Sequence, residues 1–239
     1  MLTAVLFDWG DTLMRWAWEP ELLDAGHEAG LRAIGREPSP AMTARFRDAY
    51  LPLLWMPGTL EEVEYPGLVR KLLAEEGIAV DDAELDRFLE AEHAAWQPAR
   101  MLADTTHALL EALRGRGLKT GLVSNALDPP WLLHRDLAEL GVAERLDYAV
   151  FSSETGWRKP HPAIFERALD ALSVEPGQTL FVGDTLATDV AGAAALGMHT
   201  CQALWFRADE DAEAPEPEFQ AFTQMDVLTI VGRLGVAAS

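Results

Sequence analysis

The sequence predicts an α/β fold, with a doubly wound, Rossmann-like parallel sheet as its core and an α-helical domain inserted into it. Two patterns support this prediction. Short, nearly continuous apolar runs alternate with helix-like segments along most of the 239 residues, and the alternation is interrupted once, over residues 15–98. Such runs are typical of strands that are buried on both faces of a parallel sheet. Strands that alternate with helices imply right-handed crossover connections.

The first predicted strand covers residues 2–8, an apolar run that ends in an acidic residue. Later runs predict four more strands, at 118–124, 148–152, 179–184 and 200–206. Helices are expected between and after them, at 104–114, 130–140, 162–172, 186–196 and near 225–234. Pro162 suits the first position of a helix, and Gly141 and Gly197 fall where helices end.

The interruption contains helix-like segments and no strand-like run. Four helices are expected there, at 19–36, 40–54, 61–76 and 81–96. We therefore predict a core formed by residues 1–14 and 99–239, and a helical cap domain formed by residues 15–98. The acidic, proline-containing stretch 208–218 is expected to be a solvated loop.

Composition excludes several classes of partner. The 39 acidic residues against 19 Lys and Arg leave a formal charge of −20, which disfavours nucleic acids and anionic membranes. No stretch approaches the ~20 apolar residues of a membrane span, and the N-terminus lacks a basic signal region. Cys201 alone cannot form an internal disulfide, which favours a reducing cytosol. We expect a cytoplasmic monomer or homodimer.

Polar residues follow several of the predicted strands. Asp8 follows the first strand, Ser124-Asn125 the second, and Asp184 and Asp189 the fourth, while Lys159 lies in a loop. Ligands of open parallel sheets gather at the carboxyl ends of the strands, so these side chains are expected to converge. Mg²⁺ prefers a few carboxylates together with water and phosphate oxygens, and a carboxylate can attack phosphorus.

These residues lie in four segments that, in order, resemble the motifs of the haloacid dehalogenase superfamily. The segments are Asp8-Trp9-Gly10-Asp11-Thr12-Leu13, Val123-Ser124-Asn125, Arg158-Lys159-Pro160 and Gly183-Asp184-Thr185 with Asp189. The insertion after the first motif is similar to the type 1 cap of that superfamily. The resemblance implies a Mg²⁺-dependent phosphatase that acts on a small phosphorylated metabolite.

The resemblance also implies roles for single residues. Asp8 would be the nucleophile, and Ser124, the amide of Asn125 and Lys159 would hold the phosphoryl group. Asp8, Asp184, Asp189 and the carbonyl of Gly10 would bind Mg²⁺. Thr12 and Trp9 are further candidates for substrate binding.

The first motif departs from the phosphatase pattern at Gly10. Phosphatases of the superfamily usually carry there an aspartate that acts as general acid and base, and this chain has Asp11 one residue later. Asp11 either takes over the role of the missing acid–base aspartate or caps a turn by binding local amides, and we favour the turn-capping role. The departure keeps three alternatives open: a phosphonatase-like hydrolase, a 2-haloacid dehalogenase-like hydrolase, and a weakly active or non-catalytic phosphate-binding protein.

Five tryptophans lie in or near the insertion: Trp9, Trp16, Trp18, Trp55 and Trp96. We expect them to pack in the core of the insertion rather than line a substrate pocket, except for Trp9, which directly follows Asp8. Lys71 is a candidate for imine chemistry, but its neighbours favour a charged helix face. His161 and His199 are expected to be structural.

Overall fold

Six parallel strands form the central sheet of the computed structural model, which describes residues 1–17, 19–55, 58–206 and 213–236. They are β1 (Ala4–Phe7), β4 (Lys119–Ser124), β5 (Tyr148–Phe151), β6 (Thr179–Gly183), β7 (His199–Ala203) and β8 (Phe219–Ala221). Their order is β5-β4-β1-β6-β7-β8, so β1 lies between β4 and β6. This arrangement confirms the predicted α/β fold class. Every residue of β1 is buried, as expected for a strand covered on both faces.

Helices connect the strands and cover both faces of the sheet. They are α5 (Thr106–Arg114), α6 (Pro130–Glu139), α7 (Ser152–Thr155), α8 (Pro162–Leu172), α9 (Ala191–Ala195) and α10 (Asp226–Leu234). Side chains of β1 alternate between two apolar clusters: Val5 and Phe7 pack with α5 and α10, and Leu6 packs with α8. Successive side chains of a strand point to opposite faces, so this alternation places one cluster on each side of the sheet.

The inserted segment contains α1 (Pro20–Ala33), α2 (Pro40–Trp55), α3 (Tyr65–Glu75) and α4 (Asp82–Ala95). All four predicted helices of this segment are present. They surround an apolar cluster of their own that includes Phe46, Phe88 and Trp96. Leu127 and Leu132, which lie outside the insertion, also belong to this cluster. The insertion is therefore packed directly against the loop and helix that follow β4.

Two short strands flank the insertion, where the sequence analysis expected none. β2 (Met14–Trp16) and β3 (Arg100–Leu102) pair antiparallel, with Trp16 opposite Arg100 and Met14 opposite Leu102. The chain therefore enters and leaves the helical segment at one place. The prediction of a strand-free stretch from residue 15 is wrong at its first two residues, because β2 extends to Trp16.

One further prediction needs correction. The helix expected at 186–196 begins as a π-helical turn, Leu186–Val190, and becomes α-helical only at α9. The predicted tail loop 208–218 lies partly outside the described residues, and β8 begins directly after it. Among the described residues, no helix combines the length and the apolar character needed to cross a membrane.

Candidate active site

The chain turns sharply after β1 and places Asp8 at the carboxyl end of the central strand. The carbonyl oxygen of Trp9 accepts hydrogen bonds from the amides of Leu13, at 3.1 Å, and Met14, at 3.0 Å. Asp11 has a positive φ of 51°, and its Oδ1 accepts a hydrogen bond from the amide of Trp16 at 3.0 Å. The Asp11 side chain thus links the turn to the last residue of β2 through a local amide, a contact that is compatible with the turn role.

Three carboxylates meet beside this turn. Oxygen atoms of Asp8, Asp184 and Asp189 all lie within 4.8 Å of one another, and all three residues are buried. Asp184 directly follows β6, and Asp189 lies in the π-helical turn that comes next. Buried carboxylates so close together repel one another unless a cation or a proton compensates them. The donor set is of the all-oxygen type that Mg²⁺ prefers.

Lys159 lies within this group and is itself buried. Its Nζ is 2.5 Å from Asp8 Oδ1 and 2.6 Å from Asp189 Oδ1. Burial alone would lower the pKa of Lys159, but the facing carboxylates of Asp189 and Asp8 outweigh it and raise the pKa above its ordinary value. The ammonium ion therefore stays charged at neutral pH and balances one of the three carboxylates.

Burial and the neighbouring charges also act on Asp189, and together they raise its pKa above the usual value. Burial raises its pKa to about 6, Lys159 opposes the shift, and the neighbouring charge of Asp8 adds to it. With Lys159 as the ammonium among three carboxylates, the group has two more formal negative charges than positive ones. A divalent cation would balance that excess, so the residues present fit Mg²⁺.

Ser124 and Asn125 come from the carboxyl end of β4. Ser124 Oγ donates to Asp8 Oδ1 at 3.0 Å, the same oxygen that Lys159 contacts. The side chain of Asn125 binds the backbone of Lys159 instead: its Oδ1 accepts from the Lys159 amide at 2.7 Å, and its Nδ2 donates to the Lys159 carbonyl at 3.3 Å. The motif resemblance implied a role only for the backbone amide of Asn125, so these side-chain contacts were not predicted.

Gly183 allows Asp189 to approach the site. A Cβ atom at Gly183 would lie 2.4 Å from Cγ and Oδ2 of Asp189, far inside van der Waals contact. Asp189 Oδ2 also accepts a hydrogen bond from the amide of Thr185 at 3.0 Å. The glycine before Asp184 thus has a steric reason, because only a residue without a side chain leaves room for the carboxylate.

The structure does not bring every candidate into this group. Trp9 is buried in the apolar cluster on one face of the sheet and is packed with core residues. Thr12 is fully buried, and its hydroxyl has no hydrogen-bond partner among the described residues. The expected contributions of Trp9 and Thr12 to substrate binding therefore gain no support from their placement.

The other aromatic and basic candidates have structural surroundings. Trp96 is fully buried in the core of the insertion, and Trp16 is packed under the guanidinium group of Arg100. Trp18 and the side chain of Trp55 lie outside the described residues. Lys71 is exposed on α3.

The two histidines that were expected to be structural both make local contacts. His161 caps α8 by accepting a hydrogen bond from the amide of Ala163, at 3.2 Å. His199 pairs with Glu218, with 2.6 Å between Nδ1 and Oε2.

A contact between the insertion and the Lys159 loop was not predicted. Glu62, in the segment between α2 and α3, pairs with Arg158 and accepts a hydrogen bond from Ser152. Glu62 and Arg158 are separated by 96 residues. No local pattern could have revealed a contact of that sequence separation.

A comparison with protein families decides the membership of the chain. The model of the haloacid dehalogenase-like hydrolases matches residues 2–197, which include every strand-end residue described above. The chain belongs to this family of hydrolases. The resemblance seen in the four motifs is thereby confirmed.

Several curated relatives of this haloacid dehalogenase-like hydrolase are named as phosphatases. It is 28% identical over 235 residues to a phosphoserine phosphatase of Thermus thermophilus, an alignment that covers 90% of this chain and 92% of that protein. It is 33% identical over 101 residues to a glyceraldehyde 3-phosphate phosphatase of Pyrococcus furiosus, covering 42% of this chain and 40% of the relative. Haloacid dehalogenase-like hydrolase domain-containing protein 3 of Bos taurus is 37% identical over 105 residues, which are 44% of this chain. The matches to the Pyrococcus and Bos proteins thus span about two fifths of the relatives' length.

Solved structures share the fold. A HAD phosphatase from Thermococcus onnurineus superimposes with a TM-score of 0.67 at 23% identity, covering 97% of this chain and 98% of the other. A 2-haloacid dehalogenase from Pseudomonas syringae also gives 0.67 at 23% identity, covering 98% of this chain and 100% of the other. The backbone of this hydrolase therefore agrees equally well with a phosphatase and with a dehalogenase, and the chemistry must be inferred from the site.

Proposed function

We propose that this hydrolase is a Mg²⁺-dependent phosphatase that acts on a small phosphorylated metabolite through an aspartyl-phosphate intermediate. The observation that carries the proposal is the group of Asp8, Asp184 and Asp189, buried around the ammonium of Lys159. A divalent cation would balance the two negative charges that Lys159 leaves in excess, and the transfer of a phosphoryl group is a reaction that uses such a cation. The phosphatase names of the relatives support the same substrate chemistry.

Asp8 is the proposed nucleophile. Lys159 and Ser124 both contact its Oδ1, so the two donors orient the carboxylate at the end of β1. In the proposed reaction a carboxylate oxygen of Asp8 bonds to phosphorus, and the bond from phosphorus to the ester oxygen breaks, so that the leaving alcohol takes a proton from solvent water. A water molecule then attacks the phosphorus of the acyl phosphate, the bond from phosphorus to Asp8 breaks, and inorganic phosphate and the free carboxylate result. Lys159 and Ser124 supply positive charge and a hydrogen bond where negative charge develops on the phosphoryl oxygens.

Asp8 and Asp184 would hold Mg²⁺, together with the backbone carbonyl of Gly10 and with Asp189 as a direct ligand or a supporting group. When bound, the ion supplies Lewis-acid polarisation of the phosphoryl group. Asp189 already receives hydrogen bonds from Lys159 and from the amide of Thr185, which fixes its orientation. Supporting contacts of this kind commonly tune metal affinity.

The helical segment is the proposed cap, formed by residues 15–98 and inserted into a core of 1–14 and 99–239. Its apolar cluster includes Leu127 and Leu132, just beyond the Ser124-Asn125 loop. A closed cap excludes water from the reaction and limits the substrate to metabolite size. The cytoplasmic location and the monomeric or dimeric state remain predictions.

A phosphonatase-like hydrolase is the second candidate, because Gly10 replaces the usual acid–base aspartate. The exposure of Lys71 weakens this candidate, since imine chemistry calls for a lysine with a lowered pKa inside a pocket. A 2-haloacid dehalogenase needs no metal, and the carboxylate group around Asp8 argues against it.

The test is phosphate release from a panel of phosphate monoesters, with Mg²⁺ and again with EDTA. Phosphonates and 2-haloacids are assayed in parallel, and Asp8→Asn serves as the control. We expect ester hydrolysis that depends on Mg²⁺ and disappears in the variant. Carbon–phosphorus cleavage or halide release without ester hydrolysis would refute the phosphatase and select an alternative. A protein that binds Mg²⁺ but turns over no substrate would indicate the non-catalytic alternative.

A further inference from the structure

A short segment of the insertion is hydrogen-bonded to the loop that carries Lys159. The amide of Glu62 donates to the carbonyl of Gly156 at 2.8 Å, and the amide of Arg158 donates to the carbonyl of Leu60 at 2.8 Å. Glu61 and Trp157 form an isolated antiparallel bridge between these bonds. The segment 60–62 thus pairs through a short antiparallel bridge with residues 156–158, which directly precede Lys159.

The Glu62 side chain makes a first contact with this loop. Arg158 Nη1 lies 2.8 Å from Oε1 and 3.1 Å from Oε2 of Glu62. The side chains of Arg158 and Glu62 are 9% and 2% exposed. A buried ion pair is costly to break from one side, because the remaining charge is left without compensation. The pair therefore holds residue 158, and with it the backbone that leads into Lys159.

A second contact of Glu62 reaches the phosphate-binding loop after β4. Ser152 Oγ donates to Glu62 Oε2 and accepts a hydrogen bond from the amide of Ala126 at 2.8 Å. Ala126 follows Asn125, whose side chain binds the backbone of Lys159 on both sides. The contacts close into a ring that runs from Glu62 through Arg158, Lys159, Asn125, Ala126 and Ser152 back to Glu62.

We propose that Glu62 is a positioning residue through which the insertion aligns both phosphate-binding loops, the one at Asn125 and the one at Lys159. The proposal rests on the proposed phosphatase function. Glu62 contacts Arg158 and Ser152, and neither belongs to the carboxylate group. Its effect on turnover therefore passes through the geometry of the two loops. A misplacement of about 1 Å can reduce catalysis ~10²-fold.

The first test compares steady-state kinetics of wild type, Glu62→Ala, Glu62→Gln and Ser152→Ala. We expect Glu62→Ala to lower kcat about 10- to 100-fold, with a much smaller change in KM. Glu62→Gln keeps one acceptor oxygen and loses the charge, so its kcat should lie between those of wild type and Glu62→Ala. Ser152→Ala removes the two ring contacts of the Ser152 hydroxyl but keeps the Glu62–Arg158 pair, so it should also give an intermediate kcat.

Glu90→Ala is the matched control. Glu90 on α4 forms an ion pair with Arg135 on α6, so it also joins the insertion to the core, but the Glu90 side chain is 51% exposed. An exposed pair contributes little to stability. We expect Glu90→Ala to retain the wild-type kcat. An equal loss of kcat in Glu62→Ala and Glu90→Ala would overturn the proposal, because any insertion–core contact would then suffice.

A second test measures amide hydrogen exchange without substrate, which separates this proposal from the proposed function. Glu62→Ala should accelerate exchange in residues 124–127 and 156–160, whereas Glu90→Ala should leave both segments unchanged. Acceleration confined to residues 60–62 would overturn the positioning role. If wild type hydrolyses no substrate, the proposed function fails, and faster exchange in both loops would still support the alignment by Glu62. If wild type is active and Glu62→Ala keeps its kcat, the positioning role fails while the phosphatase stands.

Discussion

Replacing Gly10 with aspartate tests whether the missing acid–base group limits turnover. The position can accept a side chain, because a Cβ atom built at Gly10 has no neighbouring heavy atom within 4 Å. Gly10 also lacks the positive φ of its neighbour Asp11, so a residue with a side chain adds no backbone strain there. Any change in activity will therefore come from the introduced carboxylate and its charge.

Gly10→Asp should raise kcat for phosphate monoesters by at least about 10-fold, toward the ~10²–10⁴-fold that general acid–base catalysis commonly supplies. A 10-fold gain corresponds to about 1.4 kcal/mol of barrier. The gain should be largest for esters with poor leaving groups, since those need a proton most. The introduced carboxylate also adds a like charge near Asp8, Asp184 and Asp189, so the metal-free variant should unfold at a lower temperature than wild type, and Mg²⁺ should recover part of the loss.

The assay compares wild type with Gly10→Asp, Gly10→Asn and Gly10→Ala in saturating Mg²⁺. Gly10→Asn has the shape of the aspartate without its acid–base chemistry, and Gly10→Ala controls for loss of the glycine. Thermal unfolding verifies that each variant is folded. If the folded aspartate variant is no faster than the asparagine variant, the missing group does not limit turnover, and the reasoning is refuted.

Three further predictions concern the metal site and a buried histidine. Asp8→Asn should abolish turnover, because an amide cannot attack phosphorus, and a phosphate-release assay checks this. Gly183→Ala should weaken Mg²⁺ binding about 10- to 100-fold in calorimetry, because the new Cβ must displace Asp189 from a distance of 2.4 Å. Burial lowers the pKa of His93, but hydrogen bonds with Asp128 and Asp136 outweigh it and raise the pKa. The contribution of His93 to the free energy of unfolding should therefore be fully present below its unfolded pKa of about 6.5 and be lost as the pH rises through the higher folded pKa. In urea unfolding, the free energy of unfolding of His93→Gln should therefore fall less than that of wild type as the pH rises through this range.

Each of these three has a control and a contrary result. If Asp8→Asn turns over substrate as fast as wild type, Asp8 is not the nucleophile. Gly177→Ala, at a position with open space, controls for loss of a glycine, and equal Mg²⁺ affinity in both alanine variants would contradict the steric argument. His134→Gln, which changes a half-exposed histidine, is the control for His93→Gln. If the free energy of unfolding depends on pH identically in wild type and His93→Gln, His93 is not linked to stability.

The long elements of the fold were predictable, whereas its three-residue strands were not. β1 and β6 are continuous buried runs, and such runs stand out in a sequence. β2, β3 and β8 have three residues each, too few for a hydrophobic period to show. β2 also depends on a partner more than eighty residues away, so nothing local distinguishes it from a turn.

The candidate site was predictable where strand ends carry its residues. Asp8 and Asp184 follow buried strands and Ser124 ends one, and the topology of a parallel sheet brings such positions together. The contacts of Asn125 and Glu62 were not predictable, because each depends on how a loop side chain is oriented toward a residue that is distant in the sequence. Trp9 stays a prediction: its place beside Asp8 suggested a substrate contact, and the structure packs its side chain in the same apolar cluster as Val5 and Phe7.

The pairing of β2 with β3 brings the two ends of the helical segment together, and we predict that the segment can be removed as a module. Trp16 and Arg100 lie opposite each other, so a two-residue Asn-Gly turn could replace everything between them and leave an ordinary hairpin. Excision would uncover Leu127 and Leu132 and leave Arg158 without Glu62, so these three residues need replacement in such a minimal protein. Cooperative thermal unfolding of the shortened chain would show that the α/β part is an autonomous folding unit, onto which other insertions can be grafted at the same hairpin; a broad, non-cooperative transition would show that it is not.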